Sequence, residues 1–76
     1  MHPNLHRAVA EAIDVVNAHS GQTTVHLRFA DDPAELDFVA NAAALRDGSF
    51  EFHAGFETYS GSLEELSDIR TEVIGH

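Results

Sequence analysis

Two six-residue runs, VHLRFA at 25–30 and ELDFVA at 35–40, stand on either side of the tetrapeptide DDPA. Val25, Leu27 and Phe29 alternate with Thr24, His26 and Arg28. Leu36, Phe38 and Ala40 alternate with Asp37 and Val39. Side chains of a strand point to opposite faces in turn, so each run predicts a strand with one buried side. Asp-Asp-Pro suits a turn, and the two runs read as a near-symmetric hairpin. No other feature constrains the chain as much, because a sheet with one apolar face obliges the remaining segments to cover it.

The stretch from Asp31 to Gly48 also has a helical reading. Asp32 would cap it, Pro33 would take the first position and Glu35 would complete a capping box, with Gly48 as the stop. Such a helix would be apolar on nearly opposite sides, through Leu36, Val39, Ala40 and Ala43 and through Phe38, Ala42 and Leu45. The strand reading is preferred. It places Leu36, Phe38, Ala40, Ala42 and Ala44 towards a core, with Asp37, Val39, Asn41, Ala43 and Leu45 opposite. Neither face of 39–45 is clean, which points to a bulge. AAAL-RDGS-FEF then forms a second hairpin about Asp47-Gly48, and Phe50, Phe52, Ala54 and Phe56 extend the apolar face.

The ends read as helices. From about Pro3 or Asn4 to His19, the residues Leu5, Val9, Ala12, Ile13 and Val16 form one stripe, closed by Ser20-Gly21. In SLEELSDIRTEV, Ser62 and Glu65 match a capping box, with Leu63, Leu66, Ile69 and Val73 inward. The expected fold is α+β: a helix, a three-stranded antiparallel meander and a helix (αβββα), both helices on one sheet face. The helical reading of 31–48 would make it αβαβα. The expected organisation is a single domain over 1–76.

Charge narrows the function classes. Thirteen acids face four basic residues, for a net charge of −9. That field opposes direct binding of nucleic acid. The acidity has two readings: solvation in a salt-adapted cell, or imitation of nucleic acid in a basic groove. Six histidines charge in mildly acidic solution and would remove two thirds of the formal charge, so stability or association is expected to depend on salt and pH. Cysteine is absent, and MHPNLHRAVAEA has no long apolar run. Neither a signal peptide nor a membrane span is expected, and the cytoplasm is the expected location.

The sheet face left uncovered by the two helices would carry His26, Arg28, Asp37, Val39, Asn41, Glu51, His53 and Glu57. Asp31, Asp32 and Glu35 form an acidic turn beside it. Glu64, Glu65, Asp68 and Glu72 fall on the wet side of the last helix. The expected partner-binding set is Asp37, Asn41, Glu51, His53, Glu57, Asp31, Asp32, Glu35, His26 and Arg28. The long third strand SFEFHAGFETY is an edge, where a homodimer could pair. Its Gly55 would mark a bend or bulge.

No catalytic, phosphate-binding or nucleic-acid motif is present, and no cofactor or enzyme activity is expected. His2 and His6 stand one helical turn apart, but two ligands do not make a metal site. The helix–meander–helix arrangement with strong acidity is similar to that of some small phage-encoded inhibitors, certain CRISPR inhibitors that mimic DNA among them. That resemblance is architectural and carries over no residue. It implies a non-enzymatic, nucleic-acid-mimicking inhibitor occupying a basic groove on a nucleic-acid-binding protein, with no membrane and no direct nucleic acid as partner. The alternatives are a homodimeric structural or regulatory domain whose acidity serves solvation, and a small metal-responsive or ligand-binding module built on the histidines.

Overall fold

The computed structural model describes residues 3–74. One helix precedes six strands: α1 (Pro3–Ala18), β1 (Thr23–Phe29), β2 (Glu35–Ala40), β3 (Ala42–Arg46), β4 (Ser49–Ala54), β5 (Glu57–Ser62) and β6 (Leu66–Val73), with a 3-10 turn at Leu63–Glu65. The strands make two antiparallel three-stranded sheets, ordered β2-β1-β6 and β3-β4-β5. The expected αβββα order, with two helices on one meander, is therefore incorrect, and so is αβαβα.

Both hairpins read from the sequence are present. β1 pairs β2 from Thr23↔Ala40 to Arg28↔Glu35, and β3 pairs β4 with Arg46 opposite Ser49. Asp47 (φ 46°) and Gly48 (φ 79°) both lie at positive φ, the mark of a type I′ turn, which matches the twist of the strands it joins.

The first error lies at Asn41. The segment 35–46 is not one strand of a meander. It leaves one sheet at Asn41 and enters the other, and the alternation inverts there. Phe38 and Ala40 are buried before the corner, whereas Ala43 and Leu45 pack on the core after it. Ala42 and Ala44 stand opposite His53 and Glu51 on the outer side of β4, against expectation. Strands that change sheets at a bend make such corners. The end of α1 clamps this one. Ser20 Oγ donates to the Asn41 carbonyl (2.5 Å), Gly21 N–H to Ala40 O (3.0 Å), and the Asn17 amide both donates to Ala43 O (3.1 Å) and accepts from Ala43 N–H (3.2 Å). Asn17 thus satisfies backbone groups of β3 that would otherwise be left open at a sheet edge.

The second error is the C-terminal helix. The capping box forms as read, with Glu64 N–H donating to Ser62 Oγ (3.0 Å) and Ser62 N–H to Glu65 Oε1 (3.2 Å). It caps only a 3-10 turn, after which β6 pairs the open edge of β1. The register shifts between Arg28 and Phe29, which leaves Ser67 as an extra residue. This bulge turns both Leu66 and Ile69 inward. A three-residue spacing in a strand thereby imitates a helical stripe.

The third error concerns SFEFHAGFETY, which is not one long edge strand. Gly55 (φ 65°) and Phe56 form the two-residue turn between β4 and β5. Phe56 sits at its tip fully exposed, not on the apolar face. The edges of the second sheet are β3 and β5.

The core unites Val9, Ile13 and Val16 of α1, Val25 and Leu27 of β1, Phe38 of β2, Phe50 and Phe52 of β4, and Leu63, Leu66 and Ile69 near the C-terminus. Aromatic rings join the sheets. Phe38 stacks on Tyr59 (4.1 Å between centroids) and meets Phe52 edge-on (5.8 Å), while Phe29 stacks on Phe50 (6.1 Å). Among the described residues, no helix is long and apolar enough to cross a membrane.

Candidate functional site: the outer face of the first sheet

β1 is the central strand of its sheet, so its outward residues are flanked on both sides. The register sets His26 between Asp37 of β2 and Arg70 of β6. It sets Arg28 between Glu35 and Asp68, and Thr24 between Val39 and Glu72. The result is a charged lattice about one half-buried histidine.

His26 Nδ1 lies 2.5 Å from Asp37 Oδ1 and 3.7 Å from Glu35 Oε1. The other oxygen of Glu35 faces two guanidinium groups, Arg70 Nη2 at 3.1 Å and Arg28 Nη2 at 3.7 Å. On the far side of the ring, His26 Nε2 is shielded from solvent and makes no hydrogen bond. Glu72 Oε1 stands 3.4 Å from it, within ion-pair range but without hydrogen-bond alignment. The His26 side chain is only 17% exposed, against 55% for Asp37 and 73% for Glu72. Charge pairs on so open a face contribute little stability each. Their value lies in fixing where the side chains point.

Of the expected set, this face gathers His26, Arg28, Glu35 and Asp37. The rest lie elsewhere. Glu51 and His53 belong to the outer side of the second sheet, where His53 Nε2 meets Glu51 Oε1 at 2.6 Å and Thr58 Oγ1 lies 3.4 Å from His53 Nδ1. A shallow depression of about 260 Å³ opens nearby, lined by Ala44, Arg46, Ser49, Phe50, Glu51 and Ser60. Asn41 is a corner residue whose N–H donates to His53 O (2.7 Å). One continuous face bearing His26, Asp37, Asn41, Glu51, His53 and Glu57 does not exist, because the corner divides it between two sheets.

Asp31 and Asp32 occupy the β1–β2 loop. Ala30 N–H donates to Glu65 O (2.8 Å) and draws that loop against the 3-10 turn. Four carboxylates, Asp31, Asp32, Glu64 and Glu65, thus share one end of the molecule. Asp32 Oδ1 accepts from Ala34 N–H (2.9 Å), and Glu65 accepts within its capping box. None of the four pairs with a cation among the described residues.

Sequence reading missed Asp68 and Glu72, which it assigned to the wet side of a helix, and Arg70, which it did not single out. The alternation Ile69, Arg70, Thr71, Glu72, Val73, with three β-branched residues on one side, was the available signal for a strand.

Glu57 stands at the foot of the β4–β5 turn, where Tyr59 donates its hydroxyl to Glu57 Oε2 (2.5 Å). This hydrogen bond, with partial desolvation and the carboxylate charge behind it, raises the phenol pKa above its ordinary 10.0. The protonated phenol is thus favoured in the folded state. Its stabilising contribution is present below the ordinary phenol range and is lost as pH rises through the higher folded value. Tyr59 is the sole tyrosine and tryptophan is absent, so tyrosinate absorbance reports this group alone. An ultraviolet pH titration is expected to show a midpoint above 10.0 that falls on Glu57→Gln. An ordinary midpoint in the wild-type chain would contradict the contact.

No family model matches this chain, and no curated protein or solved structure matches it either.

Proposed function

We propose that the chain is a non-enzymatic interaction module that presents carboxylates to a basic surface of a partner protein. The acidic end made by Asp31, Asp32, Glu64 and Glu65 supports this reading best. All thirteen acidic side chains lie outside the core, twelve of them exposed and Glu35 half-buried. The sheet-face acids are engaged by His26, Arg28 and Arg70, and Glu51 by His53. The four at the end have no cationic partner among the described residues. Such a cluster raises the encounter rate with a basic groove and forms charge-assisted hydrogen bonds to its Arg or Lys side chains. The sharpest form of the proposal is an inhibitor that displaces nucleic acid from that groove. Its support is the placement of charge, since the helix–meander–helix likeness to phage inhibitors does not survive the fold.

The test is displacement of a fluorescent DNA duplex from a panel of purified DNA-binding proteins. Wild-type chain is expected to displace it from at least one member, with displacement weakening as salt screens the charges. The variant carrying D31N, D32N, E64Q and E65Q keeps an acceptor oxygen at every position. It is expected to lose at least about tenfold in potency, the equivalent of ~1.4 kcal/mol. Failure to displace from any member, or equal potency of the two proteins, would assign the acidity to solvation.

A further inference from the structure

We infer that the outer face of the first sheet holds a divalent transition-metal ion, ligated by His26 Nδ1, Asp37 and Glu35. Three observations meet there. The first is the donor set: ligand atoms of His26, Glu35 and Asp37 all lie within 4.8 Å of one another. Donors about 2.0–2.2 Å from zinc stand ~3.3 Å apart at tetrahedral vertices. The separations from Nδ1, 2.5 Å to Asp37 Oδ1 and 3.7 Å to Glu35 Oε1, bracket that value. Small side-chain rotations would therefore admit an ion. The hairpin register places all three residues, two on adjacent strands at a directly opposed pair and the third two positions along β2.

The second observation is the orientation of the ligands by their neighbours. Arg70 and Arg28 hold Oε2 of Glu35, which leaves Oε1 for the site. His26 Nε2 is shielded and unbonded, with Glu72 Oε1 at 3.4 Å. Once Nδ1 bears a metal, Nε2 carries the proton, and a small movement of Glu72 makes it the acceptor. Ligating histidines almost always donate their second N–H to such a group.

The third is charge. Glu35, Asp37, Asp68 and Glu72 stand against Arg28 and Arg70, so with His26 neutral the face is two charges negative. One divalent ion cancels this. A nitrogen with two carboxylates suits zinc, nickel or cobalt, whereas magnesium and calcium favour all-oxygen sets. Three protein ligands leave a coordination position open to water or to a partner's side chain.

Calorimetry with zinc, and separately nickel, titrated into the full chain at neutral pH tests the inference. One-to-one binding in the micromolar range is expected, with no heat from magnesium. Binding should weaken on acidification, because protons compete for the ligands. Asp37→Asn is the primary variant, since that side chain is more than half exposed; it should weaken zinc by at least about tenfold. His53→Gln removes the other described histidine–carboxylate pair and should leave binding unchanged. In ¹⁵N spectra of the imidazole, zinc should shift Nδ1 and leave Nε2 protonated. Absence of heat with both ions at micromolar protein overturns the inference. So does zinc affinity that survives Asp37→Asn, or that disappears with His53→Gln.

Discussion

Phe52→Ala is expected to destabilise the protein by about 3–5 kcal/mol, whereas Phe56→Ala changes stability by less than about 0.5 kcal/mol. Phe52 is 0% exposed on β4, its ring 5.8 Å from those of both Phe38 and Phe50. Phe38 in turn stacks on Tyr59. Truncation at Phe52 therefore opens a void in the aromatic layer that joins the sheets. The backbone around it is fixed by strand pairing on both sides and has little freedom to collapse. A chain of 76 residues has roughly 4–11 kcal/mol of stability in all, so the loss is a large share of the total. Phe56 has the same side chain at 109% exposure and supports nothing. Urea unfolding followed by far-UV circular dichroism would separate the two. A Phe52→Ala midpoint equal to that of the wild type would refute the packing described.

Gly61→Ala is expected to lower stability by about 1–3 kcal/mol, although the backbone there permits alanine. Gly61 lies opposite Phe50 in the β4–β5 register, and two rings cover its bare Cα. A methyl group at this position would stand 3.1 Å from Phe29 Cε1 and 3.2 Å from Phe50 Cζ. These two rings are stacked on each other, so neither can retreat alone. Nor is either one the far end of a flexible chain, since Phe50 is 1% exposed and Phe29 packs on the core. For a domain of this size, each kcal/mol shifts the melting temperature by about 4–8 °C. A thermal melt of Gly61→Ala that matches or exceeds the wild type would show that the rings yield freely.

The hairpins and α1 were legible because they depend on local signals: alternation, Asp47-Gly48 and one helical stripe. The corner at Asn41 was not. Its signature is a change of phase among small alanines, which fit either face, and the residues that clamp it come from the end of α1. The last strand misled for a different reason. A genuine capping box and a bulge at Ser67 together produce the pattern of a helix, and only the open edge of β1 decides against it. The candidate site inherited both errors. Its β1 and β2 members, His26, Arg28, Glu35 and Asp37, could be read from one hairpin. Arg70, Asp68 and Glu72 arrive from a segment more than thirty residues away, and sequence periodicity carries no information about that pairing.

The seating of β6 beside β1 also bears on how the chain is made. Thr23 pairs with Val73, so the central strand of the first sheet waits for nearly the last described residue before its second edge is filled. Contacts this distant in sequence are closed late and slowly. During synthesis, β1 and β2 are made well before β6 and can pair first. The remaining partner is synthesised only after the whole of the second sheet. Through that interval β1 has an unpaired edge, and the net negative charge of the residues already made opposes pairing with neighbouring copies.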